Sequence, residues 1–368
     1  MALTIRPLNS GYIPTKPLEY WYHFSCKKYV ERLGISNELD QLPDFTFLIE
    51  GGDQLILVDT GMSWTEHADK YHHGPSLQRQ GIDDIESRLA QVGYKPSDVD
   101  IVLFTHLHWD HVFYLEKFTK ARFICNDAEW NYAHNPIPLH YKSYCRPIIA
   151  KDGDVTCGNE FIAPYDQEGV KERFETVKGE VEIVPGVSVY ESFGHCPGHM
   201  TIVVETEDGP YFCVGDSVFV MGNVDAPQEM QDELHYDICP PGRYVDIVAA
   251  WQTIRDTIRR CKEAGVDPLS IPFGTAILRI VFWKLKSTLK IHSFRYCTGF
   301  RFEKQRTVIT AAEKIRAISD GTATPGTPVC KAKTPIQFPT TLITFDAIER
   351  YIVVLVFPKL RYKAAPAL

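Results

Sequence analysis

The sequence predicts a fold that mixes α and β elements around a sizeable core. Three observations predict it: a hairpin pattern near residue 50, a helix that leads into a buried strand before His106, and a late run of short strands closed by an amphipathic helix. With 368 residues, 44% of them hydrophobic, the chain can bury such a core as one large domain or two small ones.

The hairpin comes first. PDFTFLIE (43–50) and QLILVDTG (54–61) are apolar runs joined by Gly51-Gly52-Asp53, a turn signal between strands. In DDIESRLAQVG (83–93), Ile85, Leu89 and Val92 recur at helical spacing, with acids at the start and Gly93 at the end. Pro96-Ser97-Asp98 then leads to VDIVLFTH (99–106), an apolar, β-branched run of strand length. A helix followed by a buried strand is an α/β signal. ARFICN (121–126) is a further short strand. EVEIVPGVSVYESFGH (180–195) and MTIVVETEDGPYFCVGD (200–216) give three or four short strands, turning at Pro185-Gly186 and Asp208-Gly209. Residues 244–264 predict one amphipathic helix with Ile247, Ala250, Trp251, Ile254 and Ile258 on its apolar face and Gly265 as its stop. PLSIPF (268–273) predicts one more strand.

The composition changes at Gly274. Residues 275–368 hold 16 Lys and Arg against 5 Asp and Glu, a net of +11; residues 1–274 hold 23 against 42, a net of −19. The segment 320–340 is rich in Gly, Pro and Thr and reads as a linker or loop. The expected organisation is therefore an acidic domain over 1–274 and an atypical basic tail over 275–368.

Bulk properties narrow the function. The formal net charge is −8, which argues against nucleic acid as a partner, since phosphate contact needs a basic face. Ten cysteines form no C-x-x-C pair, the pattern of reduced thiols in a cytoplasmic protein. The N-terminal residues lack the apolar core of a signal peptide, and no run reaches the ~18 apolar residues of a membrane span.

The chemistry concentrates in Phe104-Thr105-His106-Leu107-His108-Trp109-Asp110-His111. Four candidate metal ligands fall within six residues, directly after a strand. Imidazole nitrogen and carboxylate oxygen suit zinc, and also iron or manganese. One loop cannot give four side chains to a single ion without strain, so two adjacent ions are expected. A lone His would read as a surface turn; three His and an Asp at this spacing read as a site. Trp109, between the ligands, is expected to wall the pocket. His67, His72 and His73 are read as a solvated loop.

This run resembles the H-x-H-x-D-H motif of the metallo-β-lactamase superfamily. Val58-Asp59-Thr60-Gly61, Gly194-His195-Cys196-Pro197-Gly198-His199 and Gly215-Asp216 resemble that family's other segments, in order. Within the superfamily the chain looks most like the N-acyl homoserine lactonase group, over about residues 40–273. The resemblance implies an α+β fold, an αββα sandwich of two facing mixed sheets with helices outside. It implies two zinc ions: His106, His108 and His195 at the first, Asp110 and His111 at the second, Asp216 bridging both. It selects His195 over His199, and makes Asp59 a buried acid that orients metal-bound imidazoles. The implied reaction is hydrolysis of a small-molecule lactone or other carboxylic ester. The metals lower the pKa of water toward ~7, and Asp110 orients the nucleophile and passes its proton to the leaving alkoxide. A thioester hydrolase of the glyoxalase II kind is the alternative enzyme.

Two departures stand out. The family places a further His, a ligand of the second metal, after a helix and a strand, and none stands near Gly274. His235 precedes the helix, and the next His is His292 in the basic tail. That tail is expected to replace the family's usual ending, which keeps open a weakly active or inactive relative. Phe219 stands where lactonases of this kind tend to carry a Tyr.

Overall fold

A computed structural model describes residues 2–32, 37–38, 40–62, 84–146, 148–149, 155–156, 162–226 and 228–268. The strands are β1 (Thr4–Thr15), β2 (Asp40–Glu50), β3 (Ile56–Val58), β4 (Ile101–Leu103), β5 (Arg122–Asn126), β6 (Ile148–Ile149), β7 (Val155–Thr156), β8 (Phe174–Val177), β9 (Val181–Val184), β10 (Val187–Glu191), β11 (Met200–Thr206) and β12 (Gly209–Cys213). The α-helices are α1 (Pro17–Tyr20), α2 (Lys27–Arg32), α3 (Ile85–Gln91), α4 (Asp127–His134), α5 (Met221–Val224), α6 (Gln228–Leu234) and α7 (Ile247–Glu263).

The sandwich implied by the family resemblance is present. One sheet runs β1-β2-β3-β4-β5-β8 and the other β12-β11-β10-β9; β6 and β7 pair separately. The first is mixed. β1–β2 and β2–β3 are antiparallel, while β3, β4, β5 and β8 are parallel neighbours. The second is antiparallel throughout. Strand alternation sorts the side chains into layers. Ile56 and Val58 pack inward with Val187, Val189, Ile202 and Val204. Leu57, between them, packs with Ile85 and Leu89 of α3. Behind the second sheet, Phe212 and Tyr190 meet Ile254 and Cys261 of α7.

The predicted hairpin is β2–β3, and the four late strands are β9 to β12. Asp84 caps α3 by accepting from the Ser87 N–H at 3.0 Å, and Asp246 caps α7 through the Val248 and Ala249 N–H groups. The predicted face of α7 packs inward, with Trp251 and Ile258 partly buried against the core. Ala250 and Ile254 are buried as expected, but Thr253, Thr257 and Cys261 complete the core side. The threonines fit there because their hydroxyls are satisfied: Thr253 donates to the Phe193 carbonyl at 2.6 Å and Thr257 bonds the Tyr190 hydroxyl at 3.0 Å. β1 went unpredicted. It carries Pro7 and Pro14, which argue against a strand; at the sheet edge they are tolerated.

The seven described cysteines are buried and form no disulfide among the described residues. Among the described residues no helix is long and apolar enough to cross a membrane. Residues 269–273 of the last predicted strand, the break at Gly274, the 275–368 tail, His292, His67, His72 and His73 lie outside the described residues.

Candidate metal centre

Four strands end at one place. Asp59 follows β3, the His106–His111 run follows β4, His195 follows β10 and Asp216 follows β12. The loops after these carboxyl ends converge on a cavity of about 400 Å³ whose lining includes Asp59, His108, Asp110, His111, His195 and Asp216.

Asp59 organises the floor. It is buried and adopts a left-handed backbone, φ 57°, uncommon for a residue with a side chain. Its Oδ1 accepts from the Thr105 N–H and its Oδ2 from the Thr105 hydroxyl, both at 2.8 Å. Oδ2 also meets His111 Nδ1 at 2.9 Å. A carboxylate only accepts, so Nδ1 of His111 carries the proton and Nε2 turns to the cavity. The Thr105 hydroxyl, having given its proton to Asp59, accepts from His106 Nδ1 at 3.0 Å. His195 Nδ1 donates to the Arg243 carbonyl at 3.2 Å. Three rings thus present Nε2 to one place.

The donor atoms cluster in two groups. His106, His108 and His195 each offer one ligand atom, all within 4.8 Å of one another, and so do His106, His111 and Asp216. His195 Nε2 faces His108 Nδ1 at 3.0 Å. Asp216 lies between the groups. Its Oδ2 is 3.3 Å from His195 Nε2 and 3.9 Å from His106 Nε2, and its Oδ1 is 3.5 Å from His111 Nε2. Asp110 is more peripheral, its Oδ2 3.9 Å from His111 Nε2. His199 joins neither group; its Nδ1 bonds the Ser192 hydroxyl at 2.7 Å.

These residues fit a metal. His106 Nε2 is buried and has no hydrogen-bond partner among the described residues, a cost that a cation would remove. Burial, reinforced by neighbouring imidazoles, holds His106 and His108 well below the usual histidine pKa, and burial also lowers His195. All three are therefore neutral donors at neutral pH. Burial lowers His111 too, but the carboxylates of Asp59, Asp110 and Asp216 outweigh it and raise that ring well above the usual value. Burial raises Asp216, yet His195 and His111 overcome it and keep the group ionised. Asp110 is pushed up to about 6, by burial first and with Asp216 adding to it.

Loop G-H-x-P-G-H has a packing reason. A Cβ on Gly194 would sit 2.3 Å from the backbone nitrogen of Ala250 in α7, and one on Gly198 2.0 Å from that of Glu129 in α4. Only glycine lets the loop lie so close to both helices. Sequence reasoning missed three residues here. Glu129, fully buried, accepts from the Leu107 and Gly198 N–H groups. Asp44 lines the cavity, takes a hydrogen bond from the Ser10 hydroxyl at 2.8 Å, and is pushed up to about 8, chiefly by burial. Arg243 lines the cavity beside Tyr20. None lies in a motif; only an acid in an apolar strand, at Asp44, gave any signal. Phe219, buried, lines the cavity with its ring 6.1 Å from that of His195, and Trp109 is part of the wall as expected.

Known proteins agree with this picture. The chain is 29% identical to an N-acyl homoserine lactonase of a Bacillus species over 194 residues, 50% of this chain and 68% of that one. It is 29% identical to the N-acyl homoserine lactonase of Bacillus thuringiensis over 177 residues, 46% and 61% of the two chains. For that of Agrobacterium fabrum the figures are 27% over 212 residues, 55% and 72%. The chain thus spans about two thirds of the length of these relatives. A solved B. thuringiensis lactonase mutant with N-decanoyl-L-homoserine bound superposes with a TM-score of 0.53 at 20% identity, covering 80% of this chain and 98% of that one. A dizinc quorum-quenching lactonase gives 0.52 at 12% identity, covering 72% and 85%. At those identities the likeness shows the fold. Residues 39–259, more than half of the chain, match the family as a whole, and the chain belongs to the metallo-beta-lactamase superfamily.

Proposed function

We propose that this chain is a metal-dependent hydrolase that opens a lactone or another carboxylic ester, with zinc held by His106, His108, Asp110, His111, His195 and Asp216. The observation that carries the reading is the Asp216 carboxylate, whose Oδ2 faces His195 and His106 while its Oδ1 faces His111. One carboxylate serving two donor groups is what a two-ion site requires.

Zinc bound there lowers the pKa of water and draws electron density from a carbonyl. The protein supplies the rest. Three neutral imidazoles and Asp216 hold the charge, and Asp59 fixes the His111 ring against rotation. Asp110 is the proton carrier of this reading: its carboxylate would take a proton from the attacking water and release it to the leaving alkoxide. Phe219 offers no hydroxyl to the substrate carbonyl.

Metal content per chain, measured beside a screen of lactones, simple esters and thioesters, tests the reading. His106→Ala or His108→Ala each removes a neutral donor and is expected to lower zinc retention at least ~10-fold and to abolish hydrolysis. Asp216→Ala is expected to lower occupancy of both ions. Full metal content and an unchanged rate in the histidine variants would overturn the site; loss of a single ion in the Asp216 variant would overturn the bridge.

A further inference from the structure

We propose that Arg243 is a specificity residue that docks a carboxylate carried by the substrate, so that the preferred substrate is an acidic ester. The inference rests on the hydrolase reading and names its substrate class.

Arg243 lines the same cavity as His108, Asp110, His195 and Asp216. Its guanidinium carbon lies 4.1 Å from the centre of the Tyr20 ring, and Tyr20 lines the cavity as well. Stacking on an aromatic face holds the flat guanidinium in one plane and leaves its edge free to bond. That edge meets no carboxylate among the described residues. By contrast Arg6, Arg32, Arg122, Arg146, Arg259 and Arg260 each pair with an acid. Arg88, Arg173 and Arg255 also show no acid partner among the described residues; what sets the exposed Arg243 apart is its place at the cavity wall beside Tyr20.

The position of Arg243 is fixed by its backbone. The Gly242 N–H donates to the Tyr20 carbonyl at 2.8 Å. The Arg243 carbonyl accepts from His195 Nδ1 at 3.2 Å. The Val245 and Asp246 N–H groups both donate to the Gly194 carbonyl, at 2.7 and 3.1 Å. Four bonds therefore tie this loop to the candidate ligand loop on one side and to the α1 segment on the other.

Charge also favours an acidic substrate. Arg243 and Lys142 line the cavity as cations and attract a substrate carboxylate. It docks on Arg243, through the two parallel bonds that a guanidinium offers a carboxylate, and the scissile carbonyl turns toward the histidines. Hydrolysis then adds water across the acyl carbon, breaks its bond to the leaving oxygen, and puts the water's proton on that oxygen.

The test uses the zinc-loaded full chain and matched substrate pairs. One pair places the carboxylate on the acyl side: N-hexanoyl homoserine lactone against its N-adipoyl counterpart. The other places it on the alcohol side: ethyl hexanoate against the hexanoyl ester of glycolic acid. The expected result is a preference of about tenfold in kcat/KM for the acidic member of one pair, carried by KM, the scale of one charge-assisted contact at a solvated rim. The pair that shows it tells which end of the substrate bears the anion. Arg243→Gln is expected to bring the acidic-to-neutral ratio toward one, and Arg243→Lys to retain part of it. Equal rates in both pairs, or a preference that survives Arg243→Gln, would overturn the inference. No hydrolysis of any member by the wild-type chain would overturn the hydrolase reading instead. Docking is then decided by binding: adipate raising the melting temperature of the wild type but not of Arg243→Gln upholds it, and an equal rise in both sinks it.

Discussion

Glu129 sits fully buried on α4, and its two oxygens meet the two loops that carry the candidate ligands. Oε1 accepts from the Leu107 N–H at 3.0 Å and the Tyr144 hydroxyl at 2.9 Å, and Oε2 from the Gly198 N–H at 3.1 Å. A buried carboxylate is expensive unless its lone pairs are filled, and here these donors together with the Cys196 thiol offset the cost. Burial nonetheless raises its pKa. Glu129→Gln turns an NH2 group toward at least one of these donors, and the buried N–H left facing it costs about 1–3 kcal/mol. The expected outcome is that loss of stability in urea unfolding, together with easier removal of zinc by a chelator, because both loops lose their shared brace. Tyr144→Phe removes one bond and is expected to cost about 1 kcal/mol with little change in zinc retention. An Glu129→Gln protein as stable as the parent, and as slow to lose zinc, would show that the brace is idle. Nothing near Glu129 signalled this role. The role of Asp59 was legible by contrast, because V-D-T-G is a recognisable turn and the left-handed residue within it carries the acid.

At the scale of elements, the readable parts were those whose burial is one-sided and regular. The β2–β3 hairpin, α3 and the four strands of the second sheet each alternate or recur at a fixed period. α4 did not read as a helix, since in its eight residues the buried positions are Glu129 and Ala133, a face with almost no hydrophobic signal. Its far end is held by an ion cluster instead. Asp166 accepts from His134 Nε2 at 2.9 Å, Arg146 at 2.8 Å and Lys171 at 3.0 Å. Burial raises the Asp166 pKa, but these three partners outweigh it and hold the carboxyl below the usual range. A pKa lowered by folding adds stability above the unfolded value of about 3.9, and that stability is lost as the pH falls through the folded value. Asp166→Asn is therefore expected to cost about 1 kcal/mol at pH 7, allowing for solvent screening of a half-buried group. The gap from the parent should begin to narrow below about pH 4 and close only as the pH falls through the lower folded value. A gap of the same size at pH 7 and pH 3 would mean that the contact is packing and not charge.

For the whole molecule, the candidate site was legible to the extent that its candidate ligands lie in short local motifs. H-x-H-x-D-H, G-H-x-P-G-H and G-D each follow a strand, and the sandwich brings those strand ends together, the usual place for a site in folds with parallel strands. Arg243, Asp44 and Glu129 reach the same place from segments without motifs, so only the folded chain joins them to it. The remaining question is the charge and number of donors on each side. The first group offers three neutral nitrogens and shares Asp216. On the second side, His111 and Asp216 lie close and Asp110 is at 3.9 Å from the His111 ring. The family's further His is absent before Gly274, and His292 follows only in the basic stretch. A site with fewer protein donors fills its shell with exchangeable water and holds its ion less firmly. Our reading of the basic stretch as a replacement for the family's ending therefore predicts unequal sites. Zinc titration of the metal-free protein should show one tight and one loose ion, separated by at least about tenfold in affinity, the cost of a single lost ligand-shell contact. Hydrolysis should start low and rise when zinc, cobalt or manganese is added in excess. His292→Ala should change neither the titration nor that response. Two equally tight ions in the parent, falling to one in His292→Ala, would instead assign the missing donor to His292 and overturn the view that the basic stretch leaves the second site incomplete.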